Sequence, residues 1–380
     1  MLASDDISAS GAFRSMAKLC ALLRDNYDVD PLIVVPYHGD GEQILDEYGL
    51  NHICIRSSDW IVPIQFQWTL YLRIKYAAKS VMNWMAVQKL KKLIRQNGIQ
   101  VVHINTSYSY VGALAAKATD TKLVWHIREM LEEDQGNRFL KDNAISLIRQ
   151  ADAIIAISDY VLQKYEKKLE GCRFIRIYNG IDQKDYYFPM QEREYPTAER
   201  NTIRFLCVGN MSGGKGQDLI IEAVNQLVQQ EITNLHVDFV GDGVMRRKYE
   251  EQIESYHLGQ YFTFQGKQKD ILSYYRKSDV MIMSSAAEAF GRTTVEAMMA
   301  GCMIIGSDSG ATPELLQGGK YGMFYKVNDT ADLSEKMKQV IMQPDLVAAY
   351  SEKAQTFALQ TFTAQKNAEN VAELYSNLLK

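Results

Sequence analysis

Short, uninterrupted apolar runs recur along this chain, each closed by turn residues and followed by a stretch of helical character. Residues 32–35, 101–104, 123–125 and 153–157 form one series, and residues 203–208, 237–240, 280–283 and 303–305 form a second. Strands that are apolar at every position are buried on both faces, which is the habit of parallel sheets. Helical stretches at 216–230 and 292–300 lie between such runs, so right-handed crossovers place helices on both sides of each sheet. The expected fold class is therefore α/β, with two Rossmann-like domains built on mostly parallel sheets.

At 380 residues the chain is too long for one ordinary domain. The reading divides it into an N-terminal domain over 1–182, a linker over 183–202 and a C-terminal domain over 203–362. The linker is polar and tyrosine-rich and holds Pro189 and Pro196. A last helix over 363–380 is expected to pack back on the N-terminal domain. Ser10, Gly11 and Ala12 read as a loop entering a helix, and only Met1, Leu2 and Ala3 precede that loop region as apolar sequence, so the first strand is expected to be short. A formal net charge of −4 argues against general nucleic-acid binding. The cysteines Cys20, Cys54, Cys172, Cys207 and Cys302 are scattered, which suggests neither a disulfide framework nor a zinc site. With no secretory leader and no bilayer-length apolar run, a reducing cytoplasm is the expected location.

The chemistry concentrates after the apolar run 280–283. Open α/β sheets place ligands beyond the carboxyl ends of their strands, and Glu288 stands in that loop. Phe290 and Gly291 permit close backbone approach. Arg292, Thr293 and Thr294 then open a helix that carries Glu296. A helix start offers N–H groups and the positive end of a dipole, which suits a diphosphate. Glu296, in the first turns, can accept two hydrogen bonds from a ribose diol. Either acid alone reads as ordinary surface charge; both, flanking a glycine-bearing helix entry after a buried strand, read as a site.

Earlier in the same domain, Gly209, Gly214 and Lys215 come close to a P-loop, but Gly216 stands where a magnesium-binding hydroxyl is needed. A nucleoside triphosphatase is thereby disfavoured. Gly241 and Gly243 lack the third glycine of a dinucleotide fingerprint and read as a tight turn with backbone near a nucleotide.

The segment from Glu288 to Glu296, with Ala300, Gly301 and the run Gly310-Ala311-Thr312-Pro313-Glu314, closely resembles the hallmark of retaining family 4 glycosyltransferases (glycosyl transferases group 1), which have the GT-B fold. The resemblance implies two domains facing across a cleft. It implies that Glu288 faces the donor sugar, that Glu296 meets the ribose, and that backbone at Phe290, Gly291, Arg292, Thr293 and Thr294 holds sugar hydroxyls and diphosphate. Lys215 fits the family's phosphate-binding lysine, whereas Asn210 stands where arginine is common. Lys267 falls in a stretch similar to the base-contacting loop. Gly11 matches the N-terminal loop that approaches the donor phosphates. His126, in Trp125-His126-Ile127-Arg128-Glu129, resembles the active-site histidine, and Asn179-Gly180-Ile181-Asp182 resembles the interdomain hinge.

Retaining transfer from a nucleoside diphosphate sugar to a polysaccharide, glycolipid or lipid-linked acceptor is the expected function. Glu288 and His126 are the expected catalytic residues. No cofactor and no essential metal are expected, since the one Asp-x-Asp spacing, Asp28 to Asp30, precedes a strand instead of following one. The alternatives are a donor-binding but inactive subunit of a glycan assembly complex, kept open by Asn210, and a sugar-nucleotide epimerase of the same fold.

One further segment stands out. From Trp60 to Thr119 there is no Asp or Glu, while Arg73, Lys75, Lys79, Lys89, Lys91, Lys92, Arg95 and Lys117 fall within it among several aromatic residues. Residues 60–95 are expected to meet an anionic membrane surface or a phosphate-bearing acceptor, with peripheral attachment to the inner face of the cell membrane. The plainer reading is a basic helix with its aromatics packed inward.

Overall fold

The computed structural model describes residues 1–380 apart from 9, 134, 142 and 197–199. It divides into two compact units, one of residues 1–180 with 364–380 and the other of residues 181–363.

In the first unit, strands β1 (Ile33–Val35) and β2 (His52–Cys54) pair in parallel. β3 (Ile61–Pro63) is antiparallel to a later short strand. β4 (Val101–Ile104), β5 (Lys122–Ile127), β7 (Ala153–Ala156) and β8 (Phe174–Arg176) form a parallel sheet in that order, and β6 (Asn137–Phe139) is the partner of β3. In place of a full first strand, Leu2 alone makes isolated parallel bridges to Val34 and Ile104. The chain then enters the helix Gly11–Tyr27. Ser10 caps it by accepting from the Phe13 N–H, and Asp28 closes it in the left-handed region. The C-terminal helix Ala364–Leu379 belongs to this unit, where Val371 and Tyr375 share a core with Leu19, Leu23, Val124 and Ile155. Each such apolar side chain contributes on the order of 1.5–3 kcal/mol by burial.

The second unit is one six-stranded parallel sheet. Its members are β9 (Ile203–Val208), β10 (Leu235–Val240), β11 (Phe262–Gly266), β12 (Val280–Met283), β13 (Met303–Ser307) and β14 (Met323–Tyr325), in the order β11-β10-β9-β12-β13-β14. The core is continuous across the sheet, with Phe205, Phe239, Val280 and Ile305 packed against Ile221, Val224 and Leu227 of the helix Gln217–Gln229. The segment that precedes β9 is anchored by Arg193, a buried side chain that donates to the carbonyls of Ala300 at 2.8 Å and Tyr275 at 3.2 Å. Residues 197–199 of the expected linker lie outside the described residues. The loops after β9, β10 and β12, with the helix Arg292–Met299 that follows the last of them, carry most of the residues that sequence reasoning assigns to chemistry.

Candidate active site

At the end of β9 the chain makes a glycine-rich loop and enters the helix Gln217–Gln229 through Gly216, which is left-handed at φ 73°. A side chain there would strike the Ser284 carbonyl, so the loop presses directly on the end of β12. The Ser284 hydroxyl completes the join by donating to the Lys215 carbonyl at 2.6 Å. Lys215 then reaches the loop after β12, and its Nζ lies 2.8 Å from Glu288 Oε1. That loop is held from below. Ser307 donates to the Ser285 carbonyl at 2.7 Å, Ser309 to Ala286 at 2.6 Å, and the Ala311 N–H to Glu288 at 2.9 Å. Gly310, at φ 63°, lies so close that an added Cβ would sit 2.6 Å from the Glu288 nitrogen.

Gly291, at φ 84°, turns the chain into the helix Arg292–Met299 without a side-chain cap. First-turn N–H groups have no carbonyl partner within a helix. Phe290 turns its ring inward against Phe362, and Thr294 is buried. What Phe290 offers is therefore backbone. Glu296 is also buried. Its Oε2 accepts from the Tyr275 hydroxyl at 3.2 Å and its Oε1 faces Arg292 Nη2 at 3.4 Å. Burial and then Glu296 push the Tyr275 hydroxyl well above the ordinary tyrosine range, which keeps it a donor. Tyr275 is a site residue that sequence reasoning missed.

The turn after β10 packs tightly on the loop after β9. The Met211 N–H donates to Asp242 at 3.1 Å and the Met245 N–H to Met211 at 2.9 Å. A Cβ on Gly243 would meet Asn210 Oδ1 at 2.6 Å. Lys267 is exposed just past β11. Arg246, also missed from sequence, lies over the Phe264 ring at 5.5 Å and pairs with Glu250 at 2.8 Å. Lys215, Glu288, the helix start at 292–294 and Glu296 thus sit around the ends of β9 and β12, with Gly243 and Lys267 toward β10 and β11. Among the described residues, no three His, Cys, Asp or Glu side chains are grouped to hold a metal ion.

The first unit corrects one expectation. His126 does not face a substrate: it is fully buried inside β5, with Nδ1 3.2 Å from His103 Nε2. His103 Nδ1 is in turn 2.5 Å from the Tyr375 hydroxyl. Burial, and then the Arg128 charge, push both histidines well below their ordinary range, so the pair is neutral. The physical reason is strand length. β5 runs to Ile127, two residues beyond the apolar run, so the strand ends at Arg128 instead of at the histidine.

Past that end lies a buried polar cluster. Arg128 Nε donates to the Asn105 carbonyl at 3.0 Å, and its Nη1 to Asn179 Oδ1. Glu129 accepts from the N–H groups of Ser107 and Arg128, both at 2.9 Å. Burial raises its carboxyl to about 7 against those hydrogen bonds. Asn105 and Ser107 were missed, although the polar run after β4 was the available signal. Gly11 opens the helix Gly11–Tyr27 at the start of the same unit.

The family described as Glycosyl transferases group 1 matches residues 191–357, and Glycosyltransferase Family 4 matches residues 10–185. The chain is 25% identical over 237 residues to N-acetyl-alpha-D-glucosaminyl L-malate synthase of Bacillus anthracis, covering 61% of each protein. It spans, then, about three fifths of that relative's length. It is 28% identical over 245 residues to the lipopolysaccharide core biosynthesis mannosyltransferase LpcC of Rhizobium leguminosarum, covering 61% of this chain and 66% of that one. In fold it is similar to Anabaena HepE crystallised with UDP and glucose, at a TM-score of 0.77 and 20% identity, over 99% of this chain and 98% of that one. Two family matches that together run through both units, on a pair of parallel α/β domains, place this chain among the family 4 glycosyltransferases of GT-B fold.

Proposed function

We propose that the protein transfers a sugar from a nucleoside diphosphate sugar to a glycan or lipid-linked acceptor, with retention at the anomeric carbon. The observation that carries this reading is the convergence of Lys215 and Glu288 beside the helix start at 292–294, with Glu296 held within the same helix. In this reading Lys215, Arg292 and the first-turn N–H groups balance the diphosphate, and Glu296 accepts from the ribose. Glu288 is directed at the sugar as positive charge builds on its ring. The bond from the anomeric carbon to the diphosphate breaks, the acceptor oxygen bonds on the same face, and its proton passes to a departing phosphate oxygen. Residues 1–180 are read as the acceptor-side domain, where Arg128 and Glu129 replace His126 as the polar groups at the strand end.

HepE binds UDP and glucose in its crystals, which makes a uridine diphosphate sugar the first donor to try. The relatives' names point to cell-surface glycans and small glycosides as acceptor classes. The test is a calorimetric screen of nucleotide sugars, followed by transfer to lipid-linked acceptors by wild type and Glu288→Ala. Binding with no turnover on any acceptor would instead favour an inactive donor-binding subunit. Interconversion of the donor without acceptor would favour an epimerase.

A further inference from the structure

The helix Leu70–Gln96 is amphipathic in an unusual sense, because it is apolar on both sides. Its inward side carries Asn83, Ala86, Val87, Leu90 and Ile94 in the second half, and none of residues 70–82 is buried. Its outward side carries Leu70, Ile74, Val81 and Met85, at spacings of four, seven and four, which set them in one row. These side chains are 77%, 65%, 58% and 48% exposed. Tyr71 and Trp84 flank the row and are exposed as well. Trp68 stands half exposed just before the helix, propped edge-on against Phe66 and Tyr76 at 5.1 and 5.5 Å. An exposed apolar row of this length on one helix marks a surface that is covered in use.

What covers it is indicated by charge. Arg73 and Lys75 border the row in the first turns, and Lys89, Lys91, Lys92 and Arg95 follow it in the last turns. No acid occurs between Trp60 and Thr119 to neutralise them, and the ion pair Lys79–Asp59 at 3.1 Å draws on an acid just outside that span. A second copy of this chain would bring the same positive face with no acid on it to match. A bilayer leaflet with anionic headgroups supplies both an apolar interior for the row and negative charge for its border. The helix is too interrupted by charge to cross: among the described residues, no helix is long and apolar enough to span a membrane. We infer that Leu70–Gln96 lies in the plane of an anionic membrane surface, with Leu70, Ile74, Val81, Trp84 and Met85 immersed and the basic residues at headgroup level.

The test uses the full chain without sugar nucleotide, so its outcome is independent of the transfer reading. Co-sedimentation is measured with vesicles of phosphatidylcholine alone and of phosphatidylcholine with phosphatidylglycerol. Binding to the second only, weakened by salt, is expected. So is a blue shift in tryptophan emission, because Trp68 and Trp84 are exposed while Trp60 and Trp125 are already buried. Ile74→Asp with Val81→Asp removes no buried contact, so it keeps the wild-type melting temperature and loses binding at least tenfold. Each Lys→Gln change at Lys89, Lys91 or Lys92 weakens it about fivefold. Equal binding to neutral and anionic vesicles, or none to either, overturns the inference. So does a concentration-dependent dimer that Ile74→Asp dissolves, since the row would then be a self-association face.

Discussion

The buried pair His103 and His126 makes the first unit acid-sensitive. Burial lowers both pKa values on folding, so below the unfolded value only the unfolded chain takes up these protons. Stability from the pair is fully present above about pH 6.5 and is lost as pH falls from there. In the limit that neither ring charges in the fold, each withdraws on the order of 1 kcal/mol between about pH 7 and about pH 5.5, and the pair about twice that. Glu129 opposes this. Its carboxyl, raised to about 7, contributes stability at acid pH that is lost as pH rises from about 4.3 through about 7. Because Glu129 is common to wild type and variants, it cancels in their difference. The perturbation is His126→Gln, then His103→Gln with His126→Gln. The assay is urea unfolding at the two pH values, followed by tryptophan fluorescence. Trp60, Trp68, Trp84 and Trp125 all lie in the first unit, so the signal reports that unit alone. The single variant should shed about half of the pair's acid loss and the double variant nearly all of it. Variants whose stability falls between the two pH values as far as wild type's does would refute the reasoning, whatever their absolute stability.

Three further outcomes are expected from the second unit. Glu288→Gln should lower transfer by on the order of a hundredfold while the melting temperature stays close to wild type, read by nucleotide release with acceptor present; undiminished turnover would remove Glu288 from the chemistry. Tyr275→Phe takes away the donor to buried Glu296, a hydrogen bond to charge of about 1.5–3 kcal/mol, so the donor KM should rise at least tenfold with kcat nearly unchanged. An unchanged KM would show that Tyr275 does not position Glu296. Gly310→Ala forces a side chain onto φ 63° and against the Glu288 nitrogen, which should cost about 1–2 kcal/mol by thermal unfolding and reduce transfer further than that loss explains.

The central strands were legible because parallel strands buried on both faces leave apolar runs that nothing else imitates. β2, β8 and β14 were not, since each is a three-residue edge strand, and every residue of His52-Ile53-Cys54 and Phe174-Ile175-Arg176 is half-buried or exposed. The same property hid the fate of His126. In a strand buried on both sides the apolar pattern stops at the first polar residue, whether or not the strand does, and His126 looked like an end. Glu288 and Glu296 were legible from spacing around one helix entry, and Lys215 from the glycine-rich loop before another. Tyr275 was not, because it meets Glu296 through the packing of two helices 21 residues apart in sequence, a relation that no local pattern encodes.

Asn210 looked from sequence like a defect in the donor site, and the charges of the second unit argue for another view. Lys215 faces Glu288 and Arg292 faces Glu296, so the two cations already have carboxylate counter-ions within the unit. On the proposed reading a donor diphosphate brings its own negative charge, and on binding it would take Lys215 over from Glu288. That exchange would leave Glu288 beside the sugar as positive charge develops there, where a lysine-bound carboxylate would stabilise it less. An arginine at position 210 would add a third cation beside these two pairs. Asn210 instead sits against Gly243, where its small neutral side chain lets the turns after β9 and β10 close on one another. The missing charge thus fits a site in which two glutamates and two cations pair before the donor arrives, and in which, on the proposed reading, donor binding would free the Glu288 carboxylate.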